Sequence, residues 1–166
     1  MPTQTVSETS DRKIDLLERW HNGLRILQKG NFMASTHYGK CGKLFGIPVV
    51  IITSIVSSAI FATIGKSADS AIQLTAGFIS ILATVLSSLQ TFLGYSERAS
   101  SHKEAAVGYG TLRTEVQVLL ANDLSKVNNL DDRIESIRTR WNALDKSSPT
   151  LPQWIFANAR NLPESK

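Results

Sequence analysis

The sequence predicts an all-α protein: a two-helix transmembrane hairpin whose helices extend into a cytoplasmic helical bundle, assembled as an oligomer. Three observations carry that expectation. Leu44–Gly65 and Ser70–Ser96 contain no Asp, Glu, Lys or Arg, although 19% of the 166 residues are charged. The gap between these runs is short, with Lys66 and Asp69 as its charges. Outside the runs, apolar residues recur at spacings of four and three, the period of one helical face.

Residues 1–10 are polar and expected to be disordered. They offer no apolar core for a cleaved signal peptide, so insertion is expected to use the internal runs. Residues 11–43 read as a cytoplasmic helix with Leu16, Trp20, Leu24 and Leu27 on one face and Asp11 and Asp15 near its start. Gly30-Asn31 is expected to interrupt it before it resumes through Phe32, Met33 and Tyr38. Residues 44–65 form the first expected span, and the Gly46–Pro48 stretch reads as a helix start or kink, because the first turn tolerates the missing proline N–H. Residues 66–70 form the external loop and 71–96 the second span. Both runs reach the roughly 20 apolar residues needed to cross a hydrocarbon core. A soluble alternative would have to bury two helices that are apolar all round, and too little chain remains to do so.

Arg25, Lys29, Lys40 and Lys43 precede the first span, and Arg98, Lys103 and Arg113 follow the second. Positive charge on both outer flanks predicts that both termini are cytoplasmic. The second span is expected to continue as a cytoplasmic helix over 97–121, with Ala105, Tyr109, Leu112, Val116 and Leu119 on one face and Gly108 and Gly110 as its weak points. Asn122-Asp123 and Asn128-Asn129 bracket a loop. A helix over 129–146 follows, with Asn129 as N-cap, Asp131 and Asp132 in its first turn, and Leu130, Ile134, Ile137, Trp141 and Leu144 on its apolar face. The Pro-containing tail, 149–166, carries Trp154-Ile155-Phe156, whose aromatics are expected to dock on the bundle, with the lipid interface as the alternative. Cytoplasmic packing is therefore assigned to Trp20, Tyr109, Leu112, Val116, Ile134, Ile137 and Trp141.

No catalytic set emerges. His21, His37 and His102 lie far apart, with no Cys or carboxylate at metal-ligand spacing, so no metal and no cofactor are expected. Glu97, Arg98, His102 and Glu104 read as a solvated helical face. Gly108-Tyr109-Gly110-Thr111 lacks the spacing and the Lys-Ser/Thr ending of a phosphate loop. Cys41 excludes an internal disulfide and reads as an unmodified thiol, with palmitoylation as the alternative at a juxtamembrane position. A net charge of +4, without a basic stripe interleaved with aromatics, argues against nucleic acid as a partner.

The hydroxyl residues of the spans stand out. Ala76, Ser80, Thr84 and Ser88 recur at four-residue spacing, Ala83, Ser87 and Thr91 form an adjoining row, and Ser54, Ser58 and Ala62 do the same in the first span. Small residues at this spacing let helices approach closely in lipid. Ser54, Ser58, Ala76, Ser80, Thr84, Ser87, Ser88 and Thr91 are therefore the expected helix-packing or pore-facing positions. They join either the two helices of one hairpin or several hairpins around a path.

Leu44-Phe45-Gly46-Ile47-Pro48-Val49-Val50, the end of the second span from Ile79 to Leu93, Ser96-Glu97-Arg98-Ala99, His102, Ala105-Ala106, Tyr109, Leu112-Arg113 and Ser148-Pro149-Thr150-Leu151-Pro152 occur in an order that resembles the SLATT family, the SMODS and SLOG-associating two-transmembrane effector domains of bacterial conflict systems. The resemblance covers roughly residues 11–155 and is most specific from Leu86 to Arg113. It implies a bacterial inner-membrane effector of anti-phage defence that perforates or depolarises the membrane in abortive infection. Its signal would be a nucleotide second messenger or a neighbouring signalling protein. The family brings no agreed catalytic residues. The alternative is a membrane-anchored interaction module that conducts nothing, and a lipid-directed membrane enzyme is a remote third reading.

Overall fold

The computed structural model describes residues 3–63, 70–124 and 127–163. The protein is all-α, with helices α1 (Thr3–Thr63), α2 (Ser70–Leu93), α3 (Tyr95–Ala121), α4 (Leu130–Ser147) and α5 (Gln153–Asn161). The chain divides into two compact units, Met1–Ser35 with Ser100–Lys166, and Thr36–Ala99.

The first unit is a helical bundle with a closed apolar core. On α1, Leu17, Trp20, Leu24, Leu27, Asn31 and Ala34 follow one another at spacings of 3-4-3-4-3. On α3, His102, Ala105, Tyr109, Leu112, Val116 and Leu119 repeat that spacing, and all six are buried. Leu17, Leu24, Val116 and Leu119 are fully buried, with Ile137 of α4 and Leu124 in the same cluster, while Trp20, Leu27, Leu130, Ile134, Trp141 and Leu144 pack around it. Trp20 and Trp141 meet edge to face at 5.7 Å. Each fully buried aliphatic side chain contributes about 1.5–3 kcal/mol of transfer free energy. At Gly108 the helices come so close that a Cβ would fall 2.9 Å from Leu144 Cδ2.

Several boundaries differ from expectation. Helix α1 begins at Thr3, inside the stretch expected to be disordered, because an established helix propagates at one hydrogen bond per added residue. Gly30-Asn31 does not interrupt α1. The roughly 1 kcal/mol that glycine costs a helix is offset by packing, since Gly30 lies against Leu151 and Ala159 and Asn31 is buried. Pro48 lies within α1 and neither starts nor ends it. Its missing N–H leaves the Leu44 carbonyl without an i+4 partner on an exposed face. The second span and the helix after it are not continuous. Gly94, at φ 55°, separates α2 from α3, and Arg98 N–H donates to the Gly94 carbonyl at 3.0 Å. Without a Cβ, glycine takes this left-handed conformation cheaply. Gly108 and Gly110, the expected weak points, lie inside α3. Apart from Ser70, the loop expected over 66–70 lies outside the described residues.

Asn129 is the N-cap of α4 in a left-handed conformation, φ 57°, without a side-chain capping bond; its carbonyl accepts from Arg133 N–H at 3.1 Å. The tail docks through α5, but by its aliphatic residues. Ile155 and Ala159 are fully buried, whereas Trp154 is 52% and Phe156 42% exposed. Arg25 Nη1 donates to the Leu162 carbonyl at 3.3 Å and Lys29 Nζ to that of Pro163 at 2.9 Å, closing the end of α5.

The second unit has little interior. Among its described residues Val49, Val56 and Ala83 are buried, while Leu44, Val50, Ile55, Leu74, Phe78, Ile81 and Phe92 point outward, the last 85% exposed. Two stretches of helix, within Asp11–Ser58 and Gln73–Ala121, are long and apolar enough to cross a membrane, and only 11% and 6% of their most apolar windows are buried within the chain.

Candidate functional site: a hydroxyl-lined groove between apolar helices

Large apolar residues of the second unit face outward, and a subset of its small and hydroxyl residues lies between the two helices. Thr53, Val56 and Ser57 of α1 and Ser80, Ala83, Thr84, Ser87 and Ser88 of α2 line a groove of about 430 Å³. Thr53 Oγ1 donates to the Val49 carbonyl at 2.8 Å, Ser80 to Ala76 and Thr84 to Ser80, each at 2.8 Å. Such i−4 back-bonding uses the hydroxyl proton and leaves the oxygen lone pairs to accept. Among the described residues, the walls of this groove therefore present neutral acceptor oxygens and no ionisable side chain.

Of the positions singled out in the sequence, Ser80, Thr84, Ser87 and Ser88 line this groove, and Ser87 and Thr91 line a wider one of about 900 Å³. Ala76 lies outside both and accepts from Ser80 through its carbonyl. Ser54 and Ser58 are exposed and bond back to Val50 and Ser54. The α1 wall is instead built by Thr53 and Ser57, one residue earlier. The pairs Thr53-Ser54 and Ser57-Ser58 present two four-residue rows, and spacing alone does not choose between them.

The bundle carries a second constellation that sequence reading missed. His102, expected on a solvated face, is 3% exposed, and its Nδ1 lies 2.8 Å from Asn31 Oδ1. Asn31 Nδ2 donates to the Leu27 carbonyl at 2.9 Å, so its Oδ1 accepts and His102 Nδ1 carries the proton. Burial holds the imidazole below its ordinary pKa of 6.5. Glu97, Arg98 and Glu104 are exposed. Tyr109 donates to Asp145 Oδ1 at 2.7 Å, and burial above all pushes its pKa up to about 12. Arg113 donates through Nε to His21 Nε2 at 3.3 Å and through Nη1 to Gln28 Oε1 at 3.1 Å. Glu115 is held below the usual carboxylate range by its hydrogen bond to Arg140.

Of the residues assigned to cytoplasmic packing, Tyr109, Leu112, Val116 and Ile137 are buried, and Trp20, Ile134 and Trp141 are partly buried against them. Among the described residues no group of three or more His, Cys, Asp or Glu is placed to hold a metal ion. His37 Nε2 lies 3.8 Å from Cys41 Sγ. No protein family, no curated protein and no solved structure matches the chain.

Proposed function

We propose that the chain is a homo-oligomeric membrane effector: the α1–α2 hairpin spans a bacterial inner membrane with both termini cytoplasmic, and a signal received by the bundle opens a hydroxyl-lined path between hairpins. The observation that carries this reading is the inverted polarity of the second unit, with bulky apolar side chains outward and Thr53, Ser57, Ser80, Thr84, Ser87 and Ser88 lining the groove between the two helices. In water, exposed apolar surface costs about 25 cal/mol per Å²; in lipid it costs nothing. Two helices are too few to enclose a pore, so conduction requires several copies. The bundle is the two-state element, and its signal, a nucleotide second messenger or a neighbouring protein, acts only through unequal affinity for the closed and open assemblies. The resemblance to SLATT effectors gives the physiological setting, depolarisation of an infected cell.

Membrane-potential dye fluorescence during controlled expression, with membrane fractionation, tests the proposal. Depolarisation is expected, and Thr84→Asp or Ser88→Asp is expected to abolish it while the protein stays in the membrane pellet. Pelleting without depolarisation, even with the cognate signalling partner active, identifies a non-conducting anchored module. Recovery in the soluble fraction overturns the membrane reading itself.

A further inference from the structure

The wider groove of the second unit lies at one end of the hairpin, where charge-free sequence meets charged sequence. Lys43 is the last charge before the first apolar run and Glu97 the first after the second, and both line it. Its volume is about 900 Å³. Gly42 and Gly46 of α1 form part of its lining, and Ile47, Val50 and Ile51 continue it along the apolar run. Tyr95, also on its wall, stacks on Phe45 with centroids 5.8 Å apart and planes 8° apart, and on Tyr38 at 6.4 Å and 26°. An aromatic cluster at the end of an apolar run marks the depth of a lipid headgroup layer.

We infer that this groove binds one phospholipid whose headgroup carries both a phosphate and an amine. Lys43, which has no ion-pair partner among the described residues, takes the phosphate. The Glu97 carboxylate takes the ammonium, and an acyl chain runs along Ile47, Val50 and Ile51. One cation and one carboxylate on the lining complement a zwitterionic headgroup, whereas the carboxylate disfavours a purely anionic one. A side chain at Gly42 would begin to fill the groove, since a Cβ there would lie 3.4 Å from Tyr95 Cβ. The inference rests on the membrane reading of the hairpin.

The test is lipid retention. The full chain is extracted from membranes in mild detergent and passed through repeated detergent exchange, and its remaining phospholipid is quantified and identified by mass spectrometry. About one amine-bearing phospholipid per chain is expected to persist. Lys43→Gln should lower retention about fivefold, the weight of one partly exposed ion pair, and Gly46→Leu should abolish it, with circular dichroism confirming unchanged helicity. No retained lipid, retention unaffected by Lys43→Gln, or retention of a phospholipid without an amine overturns the proposal. So does disulfide formation between copies through Ile47→Cys in a Cys41→Ser background, which would place a second chain in the groove. Alkaline carbonate extraction separates the two readings: protein that stays in the pellet but retains no lipid sinks this proposal alone, and protein released by carbonate sinks the membrane reading with it.

Discussion

The two units use one secondary structure and opposite polarity. In the bundle, the residues at 3-4 spacing are large and apolar and turn inward, so that Leu17, Leu24, Val116 and Leu119 lose all contact with solvent. In the hairpin, Thr53 and Ser57 on α1 and Ser80, Thr84 and Ser88 on α2 recur at four-residue spacing and line the groove between the helices, while Leu44, Val50, Phe78 and Phe92 turn out. Where the surroundings are water, burial of apolar area organises the helices. In surroundings as apolar as leucine that drive is missing, and small residues at a helix contact matter instead. Helical period alone says which residues share a face; residue size at that period says which solvent the face was built for.

The comparison is broken most severely in the bundle core. Leu24→Ala should cost about 2–5 kcal/mol by lost transfer energy and the cavity left behind, read as a lower thermal midpoint of the helical signal. The same truncation of an outward hairpin residue, Ile81→Ala, should leave that midpoint nearly unchanged. Reversing polarity on the hairpin comes next. If the hairpin spans a bilayer as proposed, Ile81→Lys costs about 2.5–3.5 kcal/mol on insertion and should reduce the membrane-inserted fraction, measured by carbonate extraction. Lys at Val107, an exposed apolar residue of the bundle, should not.

A smaller effect, of about 1–3 kcal/mol, is expected from His102→Leu, which removes the donor to the buried Asn31 Oδ1. A polar pair within two apolar stripes fixes which turn of one helix meets which turn of the other, as a single buried Asn does in coiled coils. His102 is also harder to protonate folded than unfolded. Acidification therefore protonates the unfolded chain first, so the neutral pair stabilises the bundle above pH 6.5 and loses that contribution as pH falls below it. Tyr109 acts at the other extreme. Its phenol ionises near 10 when unfolded and about 12 when folded, so its contribution to stability should be constant below pH 10 and decline from 10 to 12. Tyr109→Phe should remove that alkaline limb in a pH-dependent unfolding series. The smallest effect belongs to the exposed pair Arg138–Glu135, where Arg138→Ala should leave the thermal midpoint of the helical signal unchanged, because solvent screens the pair.

Much of this contrast was legible in the sequence, because period and charge-free length are local properties. The stripes of α3 and α4 can be read directly, as can Ser80, Thr84, Ser87 and Ser88 on the groove. What was not legible depends on distant partners. Leu16 and Leu17 are equally apolar, and only the packed bundle selects Leu17. Asn31 and His102 are 71 residues apart and, taken singly, read as a helix breaker and a surface histidine. The α1 wall of the groove is set by one residue of rotation, Thr53 and Ser57 rather than Ser54 and Ser58. Gly94 lies at the end of an apolar run, where a glycine reads as easily as helix packing, and its positive φ is a property of the backbone path.

Cysteine accessibility in intact membranes tests the inverted polarity of the hairpin most directly. In a Cys41→Ser background, single cysteines at Val50, Ile55, Phe78 and Ile81 would be treated with a water-soluble maleimide, beside a cysteine at the exposed bundle residue Val107. The four hairpin positions are expected to stay unlabelled until detergent is added, while Val107→Cys reacts at once. Labelling of the hairpin positions in membranes at the rate of Val107→Cys would mean that those faces meet water, and would contradict the assignment of the hairpin to lipid.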